Sequence, residues 1–119
     1  MFLNFSFSNG AVGYIADGVI DNKAVYYLRN EILQKLKEHK KINLYLEDAG
    51  VAHFSLNSIV TTLFFPHKHR NRFKKVAIVT DRKWIYFLTG LNGVFISATV
   101  RNYSTKKRKE AIAWISEKE

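Results

Sequence analysis

Hydrophobic and polar positions change period several times along the chain, and each change marks an element. Phe2-Leu3-Asn4-Phe5-Ser6-Phe7 alternates, and a second strand-like run follows from Ala11 to Val19. Between them lies Ser8-Asn9-Gly10, and Asn-Gly between two such runs predicts a hairpin, because both residues tolerate positive φ. Val25, Leu28, Ile32 and Leu36 then recur at helical spacing, with Asp21 placed to cap the first turn and Lys35 and Lys37 near the end. The helix stops at His39-Lys40-Lys41, and Ile42-Asn43-Leu44-Tyr45-Leu46-Glu47 alternates again as a third strand.

The second half repeats the theme. Ser55 caps an expected helix with Leu56, Ile59, Val60, Leu63 and Phe64 along one face, interrupted at Pro66. Val76-Ala77-Ile78-Val79 is apolar throughout, as an interior strand should be. Asp81 is placed to cap a short third helix carrying Trp84, Ile85, Phe87 and Leu88, ended by Gly90 and Gly93. Residues 98–103 form a last strand, and Thr105 is placed to cap a last helix with Ala111, Ile112 and Ile115 inward and Trp114 beside them. The order is β-β-α-β-α-β-α-β-α. It predicts one α/β domain over residues 1–119, with a mixed five-stranded sheet whose first strand is antiparallel and whose other strands are parallel. Because most strands alternate, the four helices are expected mainly on one face, leaving the other partly exposed or covered by a partner.

Composition narrows the function. Hydrophobic residues are 47% and charged residues 24%, ordinary for a globular domain, and aromatic residues at 14% exceed what a small core needs. The chain has no cysteine, which removes disulfides, thiolate nucleophiles and cysteine-held metal clusters. The first residues lack the basic start and apolar run of a signal peptide, and no segment has the roughly twenty apolar residues of a membrane span. A cytoplasmic location is therefore expected. The net charge is +9, of which residues 54–83 carry +6. Such a field attracts anions without choosing among nucleic acid, lipid head groups and acidic proteins.

The candidate sites are few. His67-x-His69 has the residue type of a metal site, but Lys68, Arg70, Arg72 and Lys74 surround it and would repel a cation, so no metal is expected. The basic run from Lys68 to Lys75, bordered by Phe64, Phe65 and Phe73, has the composition of an anion-binding surface or of a solvated face over a core. Lys106-Lys107-Arg108-Lys109 opens the last helix, where cations oppose the helix dipole. Glu47 and Asp48 end one strand and Asp81 another, at the edge where α/β sheets bind ligands. Both aspartates also have ordinary roles, Asp81 as a cap and Asp48 in a turn. Gly90-Leu91-Asn92-Gly93 fits no phosphate loop, and no nucleophile elbow is present. Trp84 stands one turn after Asp81, as a pocket wall with Phe64, Phe65 and Phe87 or as a packing anchor.

Several of these stretches resemble a known family. Lys75-Val76-Ala77-Ile78-Val79-Thr80-Asp81 followed by Trp84 is similar to a signature of the SpoIIAA-like family of STAS/Sec14-type domains. Phe65, Lys68, His69 and Phe73 upstream fit the same pattern. So do Gly18, Tyr27 and Lys41-Ile42, and, downstream, Val100-Arg101 and Ala111 to Ile115. The resemblance implies a SpoIIAA-like α/β fold. Within it, anti-sigma-factor antagonists carry a phosphorylatable serine in Asp-Ser-Ser-Gly, where this chain reads His53-Phe54-Ser55-Leu56-Asn57-Ser58, so that switch is not carried over. Sec14-like relatives hold an apolar ligand beside the sheet. The expectation is thus a non-enzymatic domain, without catalytic residues or cofactor, that binds a small apolar or amphiphilic anion. Phe64, Phe65 and Trp84 would wall the pocket, with Lys68, His69 and Arg70 at its mouth and Asp81 as a further candidate ligand-binding residue. A STAS-type protein-interaction module or homodimer is the alternative. Nucleic-acid binding is weaker, and peripheral membrane contact is compatible.

Overall fold

The computed structural model describes residues 2–5, 10–19, 21–53, 73–81 and 99–117. Strands β1 (Phe2–Phe5), β2 (Ala11–Val19), β3 (Ile42–His53), β4 (Phe73–Val79) and β5 (Thr99–Tyr103) form one sheet in the order β1-β2-β3-β4-β5. β1 is antiparallel to β2, and β2 to β5 are mutually parallel, as the alternation predicts. Helix α1 (Asn22–Glu38) joins β2 to β3; after β5, a 3-10 turn (Thr105–Lys107) runs into helix α2 (Arg108–Ser116). The helices expected from Ser55 and from Asp81 lie outside the described residues.

The hairpin differs from a two-residue Asn-Gly turn. Phe5 pairs with Gly13, an even separation, which belongs to an odd-length loop. Gly10 ends that connection at φ +76°, a left-handed conformation that costs a residue without Cβ little. Asp21 caps α1 as its position predicts, its Oδ1 accepting from Ala24 N–H at 2.9 Å. At the other end Lys35 and Lys37 sit in the last turn, where cations offset the dipole.

The two described helices take opposite faces. Leu28, Ile32 and Leu36 of α1 bury against Val12, Tyr14, Ile42, Leu44, Phe73, Val76 and Ile78. Ala111, Trp114 and Ile115 of α2 bury against Ala11, Tyr45, Ala77 and Val79. The expected layering, with helices mainly on one face, does not hold for this pair. The alternation of β3 has a different cause: the side chains of Asn43, Tyr45 and Glu47, with Lys75 of β4, face α2 and bond to it or to each other.

Two of these contacts hold the carboxyl end of α2. Asn43 Nδ2 donates to Ile115 O at 3.1 Å, and the Lys75 ammonium donates to Trp114 O at 3.0 Å. Asn43 Oδ1 also accepts from Lys75 N–H at 3.2 Å, spanning the point where the β3–β4 register slips between Ile42 and Leu44. Lys75 is buried and lies 5.4 Å from the Trp114 ring, with Arg101 4.6 Å from the same ring. The cation–π contacts therefore brace one tryptophan from two strands.

β3 outruns the six-residue alternation predicted for it. Ala16 pairs with Asp48, Gly18 with Val51 and Val19 with His53, so β3 carries one extra residue at each of two successive steps. Gly50 absorbs the first at φ +115°, where a side chain would strain the backbone, and its N–H donates to Asp48 Oδ1 at 3.1 Å.

Candidate functional site

All four parallel strands end at one edge of the sheet, the place where ligands of open α/β sheets bind. Three acids named by the sequence sit there, and each is engaged. Asp48 Oδ2 accepts from the Thr80 hydroxyl at 3.0 Å, tying β3 just before its first bulge to the residue after β4. Asp81 accepts from Thr105 twice, at Oδ1 from the N–H (3.0 Å) and at Oδ2 from the hydroxyl (2.7 Å). The Thr105 bonds, with Lys106 close by, hold the Asp81 carboxyl below its ordinary range. Thr105 does not cap the last helix through its own side chain, as the sequence led us to expect; Asp81 restrains that turn from across the sheet.

Glu47 makes the most connected cluster. Its side chain is 9% exposed, and Oε1 accepts from the Tyr45 hydroxyl at 2.5 Å and from Arg108 Nε at 3.1 Å. Tyr45 and Glu47 share a face because they lie two apart on one strand. Arg108 reaches them because it opens α2, which packs on that face. Burial, and then the bond to Glu47, push the Tyr45 phenol well above its usual range. The phenol stays protonated and donates. The Arg108 guanidinium is held charged by Tyr45 and Glu47.

Around these acids the edge is uneven. Val19 at the end of β2 and Tyr26 and Tyr27 in the first two turns of α1 are 63%, 52% and 55% exposed, the large exposed hydrophobics among the described residues. Tyr27 is steadied by Glu31, whose charge and hydrogen bond raise its phenol pKa. On the far side, Lys106 and Lys107 are exposed in the 3-10 turn after β5. β2 and β5 are three strand spacings apart, about 14 Å.

Of the seven residues the sequence singled out, Asp81 stands at this edge. Phe64, Phe65, Lys68, His69, Arg70 and Trp84 lie outside the described residues, as does His67. Their chain neighbours are placed: His53 and Asp81, after which the segments bearing Phe64, Phe65 and Trp84 begin, end adjacent strands at the carboxyl edge. Phe73, which follows the basic run, opens β4 at the amino edge. The sequence did not single out Tyr45, and marked Arg108 only as part of the basic run that opens the last helix. Its one trace of their role was Tyr-x-Glu on a strand facing a helix that begins with an arginine. Among the described residues, no group of three or more His, Cys, Asp or Glu side chains could hold a metal ion, and no helix is long and apolar enough to cross a membrane.

Comparison with known proteins bears on the fold. A crystal structure of an uncharacterised protein of the DUF3478 family with a SpoIIAA-like fold, from Shewanella loihica PV-4, is similar with a TM-score of 0.71. The likeness covers 97% of this chain and 92% of that one at 16% sequence identity. No curated protein matches the sequence. The sequence profile of the SpoIIAA-like family matches residues 11–116, from the start of β2 to the end of α2. The chain belongs to the SpoIIAA-like family.

Proposed function

We propose that this domain is a non-enzymatic binding module for a small amphiphilic anion of lipid-like build, held at the carboxyl edge of the parallel strands. The observation that carries this reading is the division of that edge into an exposed apolar side, Val19, Tyr26 and Tyr27, and an exposed cationic side, Lys106 and Lys107. β2 and β5, the strands that lead into these two groups, lie about 14 Å apart, a span that suits an elongated molecule with an apolar body and a charged head. The segments that carry Phe64, Phe65 and Trp84 follow His53 and Asp81 in the chain, at this edge. Binding is favoured over catalysis because Glu47, Asp48 and Asp81, the acids a proton-transfer site would draw on, already accept hydrogen bonds from Tyr45, Thr80 and Thr105.

Native mass spectrometry of the protein, as purified and after incubation with a lipid extract, tests the reading. A retained adduct with the mass of an amphiphilic anion, lost in Lys106→Glu/Lys107→Glu, is the expected result. A protein that stays empty in both preparations overturns it. The STAS-type interaction module is the second reading, favoured by the place of β5 at the end of the sheet with Thr99, Arg101 and Asn102 exposed. Its mark would be a stable protein partner lost on Arg101→Glu.

A further inference from the structure

Arg108 differs from the other cations of its run. Lys106, Lys107 and Lys109 are exposed, with chemistry that a solvated surface explains. Arg108 is half-exposed and anchored from beneath: its Nε donates to a carboxylate that is itself buried and held by a phenol. A guanidinium has five N–H donors in a rigid fork; the bond to Glu47 uses the one on Nε, and the Tyr45 hydroxyl lies against the same fork. The terminal nitrogens keep donors at a fixed angle while the side chain remains 46% exposed. This is how binding sites prepare an arginine for an oxyanion: a buried partner fixes the fork, and the outer face meets the ligand. The amides of Thr105, Lys107 and Arg108 take no part, since they donate to Asp81 Oδ1, Ser104 O and Thr105 O.

We infer that Arg108, positioned by Glu47 and Tyr45 and framed by Lys106 and Lys107, is the anchor for the oxyanion head, a phosphate or carboxylate, of the ligand. The inference rests on the binding function proposed above and assigns its charged subsite. The local charge agrees. Glu47 offsets one of the three cations and the Asp81 carboxylate, bonded to Thr105 with Lys106 close by, offsets a second, so that Lys106, Lys107 and Arg108 still leave the turn net positive. Glu47 is a positioning residue and touches no ligand. A lysine at 108 would keep the charge and lose the fork.

The test reads the Arg108 Nε–Hε resonance of the unmodified protein during titration with inorganic phosphate and, separately, with dihexanoyl phosphatidic acid. Dissociation constants of Arg108→Lys and Glu47→Gln are measured alongside. Saturable shifts at Arg108 are expected, with affinity lower by about tenfold in Arg108→Lys and by several-fold, roughly, in Glu47→Gln. Binding of phosphate alone identifies a free phosphate-bearing ligand; binding only of the lipid identifies a lipid head group. An Arg108 resonance that does not move with either probe overturns the inference, as does unchanged affinity in Arg108→Lys. The wild-type titration needs no variant to fold. If native mass spectrometry finds an amphiphile that Arg108→Lys still retains, the subsite fails while the binding function stands.

Discussion

The two faces of the sheet are held by different physics. Under α1 the contact is apolar: Leu28, Ile32 and Leu36 meet seven buried residues of β2, β3 and β4. Under α2 the apolar contribution is smaller, and the helix is fixed along its length by side chains of the sheet. Glu47 holds its first residue, while Asn43 and Lys75 hold its last carbonyls. Apolar packing tolerates sliding and sets stability, whereas directional bonds fix position. The α2 face is therefore the one able to present a charged group at a set angle. That is where Arg108 stands.

Substitutions can break this comparison in order of size. Ile32→Ala, in the fully buried stripe of α1, should cost the most, about 3 kcal/mol in denaturant unfolding, through lost burial and a cavity. Glu47→Ala should cost about 2 kcal/mol, because it leaves the buried Tyr45 hydroxyl and one side of Arg108 without their acceptor. It should also broaden the resonances of α2 while leaving those of α1 unchanged. Asn43→Ala removes one bond to the other end of α2 and one to the β4 backbone, and should cost about 1 kcal/mol. Equal losses on both faces, or broadening in α1, would erase the distinction.

The smallest expected effect is acid sensitivity at the Thr105 tie. The Asp81 carboxyl has a folded-state pKa below its ordinary value of 3.8, so the folded state favours the carboxylate. The contribution is then fully present above that ordinary value and is lost as pH falls through the lower folded value. Asp81→Asn should remove this acid limb from the stability profile, and carbon NMR of the Asp81 carboxyl should titrate below 3.8.

The elements were legible wherever one period ran unbroken. Leu28, Ile32 and Leu36 mark the α1 face, and the Asp21 cap and the parallel pairing of β2, β3 and β4 follow from spacing alone. The alternation of β3 predicts a strand that ends at Glu47 and Asp48, with Asp48 suited to a turn. The structure uses Asp48-Ala49-Gly50 for a bulge inside a strand, a choice made by pairing with β2. Alternation leaves the face of Asn43, Tyr45 and Glu47 either exposed or covered, because it cannot tell water from a helix that presents hydrogen-bonding groups. Asp81 was found because it stands at a strand end. Its partner Thr105 lies 24 positions on, and Arg108 lies 61 from Glu47, separations that no local pattern encodes.

The central claim is that the carboxyl edge binds an amphiphilic anion, and amide chemical-shift mapping with decanoate tests it most directly. The account predicts saturable shifts at Val19, Tyr26, Tyr27, Lys106 and Lys107, with little change at Ala11, Ile42 and Phe73 on the opposite edge. Shifts concentrated at the amino edge, or none below the concentration at which decanoate forms micelles, would contradict it.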